Sequence, residues 1–63
     1  MGERVRARAT VEVPRAGALY ARGARILDGQ YAGSVFALEG FAAFGDVVSV
    51  EFCPDDQFAY IVR

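Results

Sequence analysis

A strict alternation of apolar and polar residues opens this sequence. Between Glu3 and Val13, apolar residues occupy every odd position from 5 to 13, and polar residues occupy the even positions from 4 to 12. A period of two places all the apolar side chains on one face of a β-strand and all the polar ones on the other. The segment therefore predicts a half-buried strand whose polar face carries Arg4, Arg6 and Arg8.

Turn residues divide the rest of the chain into further short segments. A break at residues 14–17 ends the first strand, and a mixed pattern follows from Ala18 to Leu27. Asp28-Gly29 is a turn dipeptide of the kind that tolerates positive φ. The next segment, residues 30–38, has apolar side chains at both odd and even positions, which predicts a central strand with two buried faces.

A β-hairpin is predicted near the end of the sequence. Residues 47–52 and 57–62 are rich in β-branched and aromatic residues, and a turn with proline in its favoured early position separates them at 54–56. One register joins the apolar residues of both strands into a continuous face. It places Val48, Val50 and Phe52 opposite Phe58, Tyr60 and Val62.

Residues 34–44 fit either of two structures. As a helix, the segment has Ser34 as its N-cap, apolar side chains at helical spacing and Gly45 just past its end. As a strand followed by an apolar connection, it is interrupted at Glu39-Gly40 and has strands on both sides. The second interpretation is preferred because of that interruption, and because a glycine inside a helix costs about 1 kcal/mol relative to alanine.

These segments together predict an all-β domain over residues 1–63, a small SH3-like barrel of about five short strands. A closed barrel suits so short a chain because closure leaves no unpaired strand edge. The helical interpretation of residues 34–44 gives the alternative, a ββαββ arrangement.

Composition limits how such a domain is stabilised. A chain of this length buries only about 60% of the surface that its unfolded form exposes. Its single cysteine excludes an internal disulfide, and it has no histidine, the commonest metal ligand. Apolar residues nevertheless make up 54% of the chain, and its mean hydropathy is +0.21. We therefore expect another protein or a second copy to cover part of the surface.

The residue inventory argues against an enzyme. The chain has no His and no Lys, so it lacks the ordinary general base and the amine of a Schiff base. Cys53 ends a strand among acidic neighbours, and it is interpreted as a structural thiol. Glu51, Asp55 and Asp56 lack the ligand spacing of a calcium loop and are interpreted as a solvated turn. We expect no catalytic residue, no metal site and no cofactor.

Aromatic side chains are the first candidates for binding. Phe41 and Phe44 lie in an apolar connection, where they either close a barrel end or contact a partner. Tyr20 and Tyr31 are further candidates for partner contact.

The arginine row Arg4, Arg6 and Arg8 is the second candidate. Alternate residues on one strand face lie about 6.6–7 Å apart, close to the phosphate repeat of a nucleic acid strand. Three more arginines follow between residues 15 and 25. The net charge of −1 favours a solvated face, with its arginines paired to Glu3, Glu12 or Asp residues across the strand, over a polyanion site.

Two families of small barrels share segments with this chain. One resemblance rests on the segments Gly2–Ala7, Asp28–Val35, Val48–Phe52 and Phe58–Arg63. These segments are similar to the variable chain of ferredoxin–thioredoxin reductase, a non-catalytic barrel that packs on a redox-active partner, and they imply a docking subunit. Residues 26–48 resemble the Sm-type core. Ala43 stands near the position of that family's RNA-contacting Asn, so this resemblance does not carry uridine binding with it.

We therefore expect a non-enzymatic interaction module that docks on a larger protein or assembles with itself. The alternative is a nucleic-acid-binding barrel that uses Arg4, Arg6 and Arg8. No apolar run approaches the ~20 residues of a membrane-spanning helix, so we expect no membrane association and a cytoplasmic location.

Overall fold

The computed structural model describes residues 3–63, which form five β-strands and no helix. Met1 and Gly2, with which the first resembling segment begins, lie outside the described residues. The strands are β1 (Val5–Glu12), β2 (Gly23–Ile26), β3 (Val35–Glu39), β4 (Val47–Phe52) and β5 (Phe58–Ile61). The all-β prediction is confirmed, and the helical alternative for residues 34–44 is wrong.

The five strands close into a barrel in the order β1-β2-β3-β5-β4, with β4 returning to β1. The long strand β1 pairs with both β2 and β4, and its pairing with β4 closes the barrel. Its second half pairs with β2, with Ala9 opposite Ile26, and most of its length pairs with β4, with Val5 opposite Phe52. All of these ladders are antiparallel except that between β3 and β5, which is parallel. The architecture is consistent with a small SH3-like barrel.

The barrel interior is filled by the inward-facing residues that the alternation predicts. On β1, Ala9 and Val11 are fully buried and Val5 and Ala7 are half-buried, whereas the arginines of the opposite face are exposed. The prediction is wrong for Val13, which lies beyond the end of β1 and is exposed. Phe52 is among the largest buried side chains: its ring lies 4.6 Å from that of Phe36 and 5.7 Å, edge to face, from that of Tyr31. Aromatic pairs at these separations add about 0.5–1.5 kcal/mol each beyond the area that they bury.

The predicted register of the last hairpin is wrong by one residue. The structure places Phe52 opposite Ala59 and Val50 opposite Ile61. A shift of one residue turns every side chain of a strand to the other face. Phe58 and Tyr60 therefore point outward and are exposed, while the small Ala59 is buried beside the large ring of Phe52.

The strand predicted over residues 30–38 is shorter than expected, since β3 begins only at Val35. Residues 30–34 instead belong to a loop that closes on the end of β2. The amide of Gly33 donates to the carbonyl of Ile26 at 2.8 Å, and the amide of Ile26 donates to the carbonyl of Ser34 at 2.9 Å. Gly29 and Gly33 both have positive φ in this loop, so the glycines support a turn that lies between the two strands.

Two loops meet at one end of the barrel. They are the segment 13–22, which follows β1, and the segment 40–46, which follows β3. Backbone hydrogen bonds join both loops to the barrel: Gly45 donates to Val11 at 2.7 Å, and Leu38 donates to Arg22 at 2.9 Å. We call this end, formed by residues 13–22 and 40–46, the aromatic end.

Candidate functional site

Phe41 and Phe44 are the most prominent apolar side chains of the 40–46 loop. Phe41 is 79% exposed and Phe44 is 50% exposed, so neither ring closes the barrel. Ala42, which lies between them in the chain, is buried and belongs to the core instead. Of the two roles considered for the phenylalanines, closure of the barrel end does not agree with these exposures, and contact with a partner stays a prediction.

Arg22 joins the two rings into one cluster. Its guanidinium carbon lies 4.5 Å from the centre of the Phe41 ring and 5.3 Å from that of Phe44. A cation this close to a ring face is attracted by the ring quadrupole, and the interaction contributes about 0.5–1 kcal/mol at exposed sites. Arg22 Nε also donates a hydrogen bond of 2.8 Å to the carbonyl of Ala42. We call Arg22, Phe41 and Phe44 the Arg22 cluster.

The loop that carries the phenylalanines is held by its own hydrogen bonds. The amide of Ala43 donates to Oδ2 of Asp46 at 3.1 Å, and the amide of Asp46 donates back to the carbonyl of Ala43 at 3.1 Å. The amide of Gly45 and the carbonyl of Asp46 add two bonds to Val11 on β1. The carboxylate of Asp46 thus accepts a backbone hydrogen bond within the loop. The backbone that carries both rings is therefore held in place.

Two other exposed apolar side chains belong to the 13–22 segment of the aromatic end. Leu19 is fully exposed, and Val13, just beyond β1, is also exposed. Single exposed apolar side chains are common on any protein, so the Arg22 cluster, in which the arginine contacts both rings, is the stronger candidate.

The two candidate tyrosines lie outside the Arg22 cluster, although Tyr20 belongs to the same 13–22 segment as Arg22. Tyr31 packs edge to face on Phe52 and so contributes to the core at the opposite end of the barrel. Tyr20 is half-buried and lines a shallow groove with Val35 and Gln57 on the outer wall. The structure therefore brings Phe41 and Phe44 together, and it does not bring either tyrosine to them.

Each arginine of the β1 row has an acidic neighbour. Arg4 Nη1 lies 3.2 Å from one carboxylate oxygen of Glu51, and Arg6 Nε lies 3.5 Å from the other. Arg8 Nε lies 3.6 Å from Oδ2 of Asp28. All three arginine side chains are exposed. The face is consequently a row of ion pairs in solvent, where such pairs contribute little stability.

The later arginines do not add to that row. Arg25 on β2 pairs with Glu12 on β1 at 2.9 Å, and the hydrogen bond and charge of that carboxylate raise the pKa of Arg25. Arg22 lies at the aromatic end on its two rings. Sequence reasoning grouped these arginines by their proximity in the chain. It missed the Arg22 cluster because Arg22 and Phe41 are far apart in sequence, and no local spacing connects them.

Cys53 and the acidic residues Glu51, Asp55 and Asp56 lie around the turn between β4 and β5. Cys53 is half-buried and lines a groove with Arg4, Glu51, Asp56 and Tyr60. Among residues 3–63, no three side chains of the metal-ligating types are gathered in one place. Within the same part of the chain, no helix has the length and apolarity to cross a membrane.

Comparison of the chain with known protein families, with curated proteins and with solved structures found no match.

Proposed function

We propose that this protein is a non-enzymatic interaction module that docks on another protein, or on a second copy, through the Arg22 cluster. The observation that carries the proposal is the fixed, exposed loop that holds Phe41 and Phe44 in place on Arg22. Phe41 exposes most of its side chain and is not part of the core cluster that fills the barrel.

Burial of these rings against a partner is energetically favourable. Complete burial of a phenylalanine side chain stabilises by about 1.5–3 kcal/mol, and Phe41 and Phe44 retain much of that area for a partner to cover. Association costs conformational freedom, and that cost falls when the contacting side chains are already held in place. The hydrogen bonds between Ala43 and Asp46 hold the loop before any partner arrives.

The lack of His and Lys supports a binding role over a catalytic one, because the described surface offers no ordinary general base. The resemblance of four segments to a non-catalytic accessory chain also favours docking. A cytoplasmic location remains a prediction from the sequence.

Affinity purification from the native host tests the proposal when three forms of the chain are compared. The wild type and Tyr60→Ser, which loses an aromatic ring of similar exposure to Phe44 on the outer wall, are expected to retain a stoichiometric protein partner. The double variant F41S/F44S is expected to lose it. Nuclease treatment and washes at two salt concentrations must leave the wild-type complex intact. Equal recovery of the partner by all three forms would remove the Arg22 cluster from the proposal.

A second candidate function is nucleic-acid binding by the arginine row. It is favoured by a groove of about 540 Å³ whose lining includes Arg6, Arg8, Ser49 and Arg63. The acidic partners Glu51 and Asp28 compete with phosphates for these arginines. Retention on RNA or DNA at low salt that disappears between about 50 and 200 mM salt would support this function. No retention at low salt would exclude it.

A further inference from the structure

The seven arginines of this chain differ in their neighbours. Arg6, Arg8 and Arg25 lie on strands and Arg4 directly precedes β1, and each of these four has a carboxylate within 3.6 Å. The other three, Arg15, Arg22 and Arg63, form no ion pair among residues 3–63. Arg22 lies at the aromatic end, and no carboxylate among residues 3–63 forms an ion pair with it. Its positive charge is therefore balanced only by ring faces and a carbonyl dipole.

The guanidinium of Arg22 has hydrogen-bond donors for which the described residues offer no acceptor. A guanidinium has five N–H donors, of which the Nε donor is used on the carbonyl of Ala42. The terminal nitrogens have no acceptor among the described residues. The N–H groups of a guanidinium form a planar fork that can donate two parallel hydrogen bonds to the two oxygens of a carboxylate. Stacking on aromatic rings keeps this fork in one orientation.

We infer that the partner presents a carboxylate side chain next to an apolar one: the carboxylate binds the terminal N–H groups of Arg22, and the apolar side chain covers Phe41 and Phe44. This inference rests on the proposed docking function and names the chemistry of its partner. Charge complementarity favours an anionic group in the partner, because a partner that buried this cluster without an anion would leave the Arg22 charge desolvated and uncompensated.

Two other occupants fit the cluster less well. A second copy that docks through the same face would bring two Arg22 side chains together, and like charges in an interface cost affinity. A phosphorylated segment carries about two negative charges and is usually bound by several arginines. The fork of Arg22, which has no ion pair among residues 3–63 and lies close to both phenylalanine rings, matches the single charge of a carboxylate.

A displayed library of random short peptides, selected on the immobilised wild-type chain, tests the inference. We expect the enriched peptides to place Asp or Glu beside a bulky apolar residue. One enriched peptide is then synthesised with each acidic residue in its acid or its amide form, and fluorescence anisotropy measures the binding of both. Replacement of the carboxylate by the amide is expected to weaken binding at least about tenfold, since a charge-assisted hydrogen bond is lost. This change alters the peptide and leaves the folded chain untouched.

Variants of the chain provide the second arm. Arg22→Gln is expected to abolish the preference for acid over amide, and Arg22→Lys is expected to keep part of it, because lysine retains the charge without the fork. Arg15→Gln makes the same change of charge elsewhere in the same 13–22 loop and is the matched control, expected to retain the preference. Thermal melting of each variant checks that the barrel remains folded.

The possible results separate this inference from the docking function beneath it. Enriched peptides that are apolar without acidic residues, or that bind equally well as amides, would overturn the inference and leave docking intact. Failure to enrich any peptide would count against it as well. Self-association that F41S/F44S abolishes would identify a second copy as the occupant, which also overturns it. Binding that F41S/F44S does not change would overturn both the inference and the proposed site.

Discussion

Phe52 on β4 lies directly opposite Ala59 on β5, and both side chains are buried. The aromatic ring extends across the barrel to Phe36, while the methyl group of Ala59 fills the space that remains on its own strand. Large and small side chains alternate in this way because the interior of a five-stranded barrel is narrow and must be filled without voids.

Enlarging the small member of this pair should disrupt the core. Ala59→Leu adds three carbon atoms where Ala59 has no exposed surface, so we expect the free energy of unfolding to fall by about 1–3 kcal/mol. Denaturant unfolding followed by circular dichroism measures the change. Ala21→Leu makes the same substitution at an exposed position and should change stability by less than about 0.5 kcal/mol. Equal effects at both positions would contradict the observed register.

Removal of the exposed phenylalanines should leave the barrel folded. The double variant F41S/F44S loses its contacts with Arg22, and we expect a loss of no more than about 1–2 kcal/mol. Phe52→Ala, by contrast, opens a cavity in the core and should cost about 3–5 kcal/mol. Thermal melts of the three proteins provide the comparison. Unfolding of F41S/F44S to the same extent as Phe52→Ala would mean that the two rings are structural.

Substitution of Gly40, the first residue of the 40–46 loop, should destabilise the fold. Gly40 has φ +115°, and a Cβ atom there would lie 3.1 Å from Cδ1 of Ile61. Gly45, with φ +92°, has open space around the same position. Both changes to alanine strain the backbone by about 1–2 kcal/mol, and we expect Gly40→Ala to be the more destabilising because Ile61 must also shift. Adding Ile61→Val, which removes Cδ1, should recover part of the difference in a double-mutant cycle.

Loss of the acid shared by two arginines should have a small and salt-dependent effect. Glu51→Gln removes the ion pairs with Arg4 and Arg6, and we expect a loss below about 1 kcal/mol because both arginines are exposed. Urea unfolding at low and high ionic strength measures it, and the loss should vanish at high salt. Asp55→Asn is the control, because it makes the same change of charge at an exposed acid that has no ion pair among residues 3–63. A loss that persists at high salt would show that Glu51 has a packing role.

Local patterns in the sequence were sufficient for most of the strands. The alternation predicts β1 and its two faces because side-chain direction in a strand depends only on whether a position is odd or even. The limits of β4 are also predicted, since its residues are β-branched and a turn with proline follows. In contrast, β2 lies in a segment of mixed pattern, and the beginning of β3 was placed too early because glycines at turns and within strands look alike in sequence.

The candidate site was found only in part. Phe41 and Phe44 were identified because two phenylalanines in a predicted connection are unusual. Their exposure and their contact with Arg22 could not be predicted, because both depend on how two loops distant in sequence meet at one barrel end. The arginine row was predicted as a solvated face, and the structure supplies Glu51 and Asp28 as its partners.

The sequence by itself thus determined that this chain forms short β-strands, which side of β1 is buried and where the main turns occur. Only the tertiary structure decided the register of β4 against β5, the parallel pairing of β3 with β5 and the meeting of Arg22 with its two rings. The physical reason is the separation along the chain of the residues that decide each feature. Strand formation and side-chain alternation follow from neighbouring residues, whereas register is set by the volume of the closed interior, which accepts Phe52 beside Ala59 and turns Phe58 and Tyr60 outward.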